Sequence, residues 1–305
     1  MLHVLSIVAP VFGLMGLGFL AQLTGFVSAR TGEGLSEFVF SVAVPALIFK
    51  TLTAAELPAV QPWGYWFAYF GGVIIVWTLT TLLARRVYGV SEVEGVVAGF
   101  CASQSNTVFV GVPLILEAYG PEGAVPLFLL VAIHLPVMIT AAMLLAEGRH
   151  AHFLKVGRQL VTSPILLGIA VSVLVKWTGA PVPGTVKTIV DMLGSAASPC
   201  ALFAMGIALQ RYGLGDYVRL SAAVTALKLV AHPLLVLLLA RYVFPMPPVW
   251  AGVAVLFAAA PTGINAYLFA ERYRTGVAIA AGSITLGTIA SILTTTLWLT
   301  VLGIH

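Results

Sequence analysis

Charge is scarce in this chain. Asp, Glu, Lys and Arg make up 9% of its 305 residues, against roughly a quarter in an ordinary soluble domain. With 60% hydrophobic residues and a mean hydropathy of +1.05, the chain has far more apolar surface than a water-soluble fold can hide. Its solvent is therefore mostly lipid. Cysteine is almost absent: Cys101 and Cys200 both sit in apolar runs, with no CxxC pair and no His/Cys/Asp cluster at metal spacing. That excludes a disulfide framework and a zinc site, and both thiols read as small buried hydrophobes. No metal or cofactor is expected. The net charge of +4 comes from short basic loops and forms no basic face, which excludes a nucleic-acid partner. There is no HExxH, no GxSxG and no aspartate pair at membrane depth, so the chain is not read as an enzyme. No Lys or Arg precedes the first apolar run, MLHVLSIVAPVFG. A cleaved signal peptide wants a basic start, so this run is read as a retained transmembrane helix.

What the chain does have is span after span. A helix needs about 20 apolar residues to cross a bilayer. Gly, Pro and charge punctuation predicts ten spans, at about 3–25, 33–53, 62–84, 92–119, 121–145, 159–178, 184–209, 218–243, 248–271 and 276–303. The fold class expected is an all-α membrane protein. Loops after odd-numbered spans carry Arg30, Arg85, Arg86, Arg149, Lys155, Arg158, Arg211, Arg219, Arg272 and Arg274; loops after even-numbered spans carry Lys176, Lys187 and Arg241. The positive-inside rule then places the odd loops in the cytoplasm and both termini outside. The longest loop, 147–158, is read as a cytoplasmic linker between a first half, 1–146, and a second, 159–305.

The halves repeat. Sliding 6–49 onto 160–203 without gaps aligns nine identities: Pro10/Pro164, Leu20/Leu174, Thr24/Thr178, Gly25/Gly179, Thr31/Thr185, Ser41/Ser195, Ala43/Ala197, Pro45/Pro199 and Phe49/Phe203. Glu37 falls on Asp191. A chain rich in Leu, Ala and Val matches itself by accident, but not at prolines, glycine and threonines. At an offset of 159, Asn106 falls on Asn265 and Ser103 on Thr262. Five helices per copy is an odd number, so the second copy is expected upside down in the membrane. Inverted repeats with interrupted helices at matching places are a signature of secondary transporters, and the interruptions point to the substrate site.

The first interruption reads SQSNTVFVGVP (103–113) and the second APTGINAYLFAERY (260–273). Non-helical backbone at membrane depth must be satisfied by protein or by a wet cavity. The start of a half-helix frees N–H groups and carries partial positive charge, which favours anions. Asn106 and Asn265 can donate to a carboxylate, and Ser103, Gln104, Ser105, Thr107, Thr262 and Gly263 add polar or close-approach groups. Gly111, Pro113 and Pro261 are candidates for making the breaks, because Gly relaxes φ and Pro removes a donor. The competing reading is that the Ser, Thr and Asn side chains are glue between helices.

Other polar groups lie at depth. His134, beside Pro136 in span five, either has a functional part, facing the pocket or carrying a proton, or is a satisfied core histidine. Lys228 and His232, four apart on span eight, share a face. The preferred reading is a scaffold helix with a snorkelling lysine, although an ionisable residue at depth is a functional candidate. Lys50 is expected to snorkel, and Glu37 and Asp191 to sit near helix ends. Trp63, Tyr65 and Trp66 read as an interface belt.

These stretches resemble the auxin efflux carrier family. NTVFVGVPLILEAYG (106–120) and APTGINAYLFAERY carry the likeness, with VPALIF (44–49), SPILLGI (163–169) and LGSAASPCALFAMGIAL (193–209). The chain looks like a prokaryotic member, similar to PIN-type auxin carriers and to malonate or malate permeases. The resemblance implies two inverted five-helix repeats, spans four and nine crossing at the substrate site, elevator-type alternating access, a homodimer and an inner-membrane location. Plant members place a proline directly before the helix-four Asn, where this chain has Ser105. The first break is therefore expected to be shallower, or made at Gly111 and Pro113. The large central loop of long plant carriers is absent, so auxin is not inferred. The function expected is secondary transport of a small organic anion, proton-coupled or potential-driven. A sodium-coupled symporter of the bile-acid type and a non-transporting sensor are the alternatives.

Overall fold

The computed structural model describes residues 2–55, 63–147, 162–213 and 216–304. Among these residues thirteen main helical elements follow one another: α1 Leu2–Leu23, α2 Ala29–Ala54, α3 Trp63–Val87, α4 Glu92–Ser103, α5 Val112–Tyr119, α6 Ala124–Glu147, α7 Pro164–Thr178, α8 Gly184–Ser195, α9 Ala197–Ala208, α10 Val218–Val243, α11 Pro248–Ala259, α12 Ile264–Tyr273 and α13 Val277–Val301. Among the described residues there are no strands, and seven helical runs are long and apolar enough to span a bilayer. One of them, Thr107–Glu147, has 41 residues. It is interrupted by a tight turn at Gly120–Gly123, beyond which α6 packs back on α5. The protein is an integral membrane protein of the all-α class. The linker expected at 147–158 falls, past residue 147, outside the described residues, as does the start of the sixth expected span.

Helix ends follow local chemistry. Ser91 and Glu94 form a capping box at the start of α4, with Glu94 N–H donating to Ser91 Oγ at 3.3 Å and Ser91 N–H to Glu94 Oε2 at 2.9 Å. Arg85 and Arg86 close α3, where the helix dipole favours cations. Of four π-turns among the described residues, three, Val39–Ala43, Thr107–Gly111 and Leu227–Ala231, end two residues before a proline that lies within continuing helix (Pro45, Pro113, Pro233). Proline lacks an N–H and its ring crowds the carbonyl four residues back; a wider turn accommodates both without breaking the helix.

Burial sorts the elements into two kinds. The last eight residues of α11, Gly252–Ala259, are all buried, and so are the last nine of α4, Gly95–Ser103. A helix buried all round belongs to the centre of the protein. By contrast α1, α7 and α8 present Leu17, Leu20, Leu167, Val171, Leu174, Ile189 and Met192 outward, as a lipid-facing surface must. α1 packs on α9 and α2 on α7. The first contact is backbone-close: a Cβ at Gly18 would overlap the Phe203 carbonyl, and one at Gly206 the Met15 carbonyl. Such small-residue contacts are how helices associate in lipid, where the hydrophobic effect cannot drive them together.

The aromatic belt reading needs one correction. Trp63 is exposed, but Tyr65 is buried and donates to the Pro126 carbonyl at 2.8 Å. The polar tip that suits tyrosine to an interface here serves a helix–helix hydrogen bond instead. Lys50 is half-exposed and pairs with Asp191 at 3.5 Å.

Candidate functional site

α4 stops at Ser103 and α11 at Ala259, and the extended segments that follow them meet. Ser105 and Thr262 form an antiparallel bridge. Asn106 N–H donates to the Pro261 carbonyl at 2.8 Å, and Gly263 N–H to the Gln104 carbonyl at 3.3 Å and to Gln104 Oε1 at 3.0 Å. Each broken ladder is thus repaired by the other break, as membrane depth requires. The contact is tight. A Cβ on Gly263 would overlap the Gln104 side chain and come within 3.0 Å of the Ser105 carbonyl, so glycine is required here for close approach; its φ of −86° is open to any residue. Side chains from outside cap the freed carbonyls at the helix ends. Thr262 Oγ1 donates to the Cys101 carbonyl of α4 at 2.9 Å, and Lys228 Nζ donates to the Ala258 carbonyl of α11 at 2.5 Å.

Lys228 does not snorkel, and this corrects the scaffold reading. It is fully buried, and its nitrogen meets three acceptors: Ala258 O, Ser105 Oγ at 2.9 Å and His232 Nδ1 at 3.3 Å. A lysine head group has three donors, so all are used. His134 is the satisfied histidine of the two readings weighed for it. Ser105 N–H donates to its Nε2 at 3.4 Å, which leaves the hydrogen on Nδ1, 3.1 Å from the Tyr69 hydroxyl. Helix α10 therefore reaches the crossing point through Lys228, α3 through Tyr69 and α6 through His134. Tyr69 had no signal in the sequence, because one tyrosine in an apolar span looks like any core aromatic.

On the other side of the crossing lies a small cleft of about 40 Å³. Ser105, Asn106, Thr107, Gly263, Ile264 and Asn265 form its polar floor; Phe40, Phe109, Val131, Leu135, Pro136, Ile165 and Leu166, with Ser163, form its walls. Two helical runs start there, one at Thr107 and one at Ile264, and neither has a side-chain cap. Asn106 is buried, with Nδ2 3.3 Å from Met205 Sδ, a weak acceptor. Asn265 is half-buried and makes no side-chain hydrogen bond among the described residues. A larger crevice of about 550 Å³ opens between α1, the end of α9 and α13, but its lining is mostly apolar and it lacks convergent polar groups.

The expected site residues thus divide. Asn106, Asn265, Thr107, Ser105 and Gly263 line the cleft. Gln104, Thr262 and Pro261 brace the crossing. Ser103 Oγ turns back on its own helix, to the Gly99 carbonyl at 2.7 Å. Gly111 and Pro113 do not make the first break. They lie in continuous helix beyond it, and the chain departs from helix at Gln104–Asn106, where ψ is 118° and then 79°. With serine rather than proline at 105 the chain still leaves helix, and Ser105 N–H finds an acceptor in His134 Nε2.

A family model described as "Membrane transport protein" matches residues 3–299. The chain belongs to this family, the auxin efflux carriers. It is 28% identical over 304 residues to a Rhizobium meliloti (strain 1021) protein named "Putative malonate transporter", covering 97% of this chain and 95% of that one. It is 24% identical over 302 residues to an uncharacterized transporter of Methanothermobacter thermautotrophicus, covering 97% of each. A third relative, the Lysosomal cholesterol signaling protein of Mus musculus, is 25% identical over 251 residues, which are 73% of this chain and 28% of that protein. The family is one of membrane transporters and not of enzymes. Asn106, Thr107, Gly263 and Asn265 therefore sit at the crossing point of a transporter-family fold.

Proposed function

We propose that this carrier moves a small organic anion, a mono- or dicarboxylate, by elevator-type alternating access. One observation carries the reading: the uncapped starts of two helices, at Thr107 and Ile264, converge with the amides of Asn106 and Asn265 on a single cleft at the crossing. Helix starts and amide N–H groups are both anion-binding chemistry. The name of the Rhizobium relative makes malonate the first acid to try. A cleft of about 40 Å³ has room for a few waters and not for an organic acid, so substrate entry requires the walls to part. The chain is read as two inverted repeats, 1–146 and 159–305, each of five spans, joined by the 147–158 linker. The antiparallel meeting of Ser105 with Thr262 supports this, as do the exchanged pairs, α1 with α9 and α2 with α7. The further parts of the reading are a homodimer in a prokaryotic inner membrane with both termini outside, driven by protons or by membrane potential. Lys228 already engages Ser105 Oγ and Ala258 O, oxygens a sodium ion behind the crossing would need, which favours sodium independence.

The test is electrical. Purified protein on a solid-supported membrane is challenged with malonate and a panel of other carboxylates, with and without sodium and at two pH values. A current is expected that does not need sodium and falls at least tenfold in both Asn106→Ala and Asn265→Ala, with both variants still folded. Wild-type currents in the two variants would sink the crossing-site assignment. The similarity to a mouse signalling protein favours one second reading, a sensor, which would bind an acid and pass none.

A further inference from the structure

Met205 lies on α9, outside the cleft lining, and its sulfur is the one protein acceptor that the Asn106 amide has among the described residues. Both residues are buried, at 3% exposure for Asn106 and 1% for Met205. A thioether is a weak acceptor for an N–H donor, whereas a carboxylate is among the strongest. The sulfur is also firmly held. The residue after it, Gly206, and Gly18 on α1 bring the two helix backbones into contact, so α9 and α1 form a unit whose spacing a single Cβ would disturb. The contact at 3.3 Å therefore ties this closely packed helix pair to the broken helix at its interruption.

We propose that Met205 is a positioning residue that holds Asn106 when no substrate is bound, and that an incoming carboxylate binds by taking Nδ2 from its sulfur. This deepens the proposed function and rests on its assignment of Asn106 to the substrate. The exchange makes occupancy and release the same event: the amide that grips the anion is the amide that lets go of α9. A weak acceptor suits that task. It is enough to orient Nδ2, which would otherwise be buried without a partner, yet it yields to a charged oxygen. A strong acceptor at 205 would compete with substrate, and an apolar one would not compete at all.

The experiment uses the full chain in proteoliposomes, with apparent affinity and maximal flux measured for malonate and, across the same panel, for the acid that transports best. Met205→Leu, close to isosteric and without an acceptor, is expected to lower the half-saturating concentration about three- to tenfold. Met205→Gln, which offers an amide oxygen, is expected to raise it about tenfold. In an Asn106→Ala background the same two changes should alter affinity less than twofold, because the partner is gone. A packing role predicts instead that both variants shift affinity in the same direction and lose melting temperature together. That result overturns the proposal, as does wild-type affinity in Met205→Leu, the variant least able to disturb folding. Undiminished flux in Asn106→Ala would overturn the substrate assignment itself, and this inference with it.

Discussion

At the second break a helix donor is missing by covalent structure, because Pro261 has no N–H; at the first, Ser105 has one, and it goes to His134 Nε2 at 3.4 Å. The second break is made from a proline and a closely packed glycine and draws on one other helix, through Lys228 at the Ala258 carbonyl. The first is made from polar residues and needs partners from three other spans: His134 on α6, Lys228 on α10 and Met205 on α9. The two breaks thus reach the same antiparallel meeting by opposite means, one by removing a donor and the other by answering it. Asymmetry follows. The crossing is anchored to its surroundings mainly through the first break, while Asn265 at the second is left without a protein partner among the described residues.

The largest test of this comparison is at the point of closest approach. Gly263→Val should cost about 3 kcal/mol, because the added carbons must displace the Gln104 side chain and press on the Ser105 carbonyl. Thermal unfolding in detergent and the yield of monodisperse protein would register it; a fully stable variant would mean that the two breaks do not need contact. Next comes the anchor. Lys228→Met removes the donor to Ser105 Oγ, the Ala258 carbonyl and His232 Nδ1, and also removes the cost of burying a charge-bearing group. Stability should move by less than about 2 kcal/mol, since the two effects oppose each other. Flux should nevertheless fall at least tenfold, and wild-type flux would show that the first break stands without its tether. The smallest effect belongs to the cap. Thr262→Val keeps the shape and loses the hydroxyl that donates to the Cys101 carbonyl, at a cost of about 1 kcal/mol with flux nearly intact. A loss as large as that of Lys228→Met would mean that the two ends of the crossing are equally loaded.

Much of this was legible in the chain. Apolar length alone implied the helices, and the duplicated Asn marked both interruptions, because polar residues in a row cannot face lipid without a reason. Asn106 and Asn265, 159 positions apart, line one cleft. Gly111 and Pro113 misled, since both signal a break in general; here a π-turn of Thr107–Gly111 absorbs the proline and the helix continues. Lys228 was visible but misjudged. A lysine in an apolar span can reach lipid head groups or protein oxygens, and only the position of its partners separates the two.

By itself, then, the sequence determined what is a matter of composition and local order: a membrane solvent, helices as the spanning element, and two interruptions carrying matched amides. The tertiary structure decided where the freed donors and acceptors go. Ser105 N–H, Nδ2 of Asn106 and the Ala258 carbonyl find partners in His134, Met205 and Lys228, residues 29 to 99 positions away along the chain. A hydrogen bond reaches about 3 Å and depends on direction, so no spacing along one strand of sequence can specify it until the helices are packed.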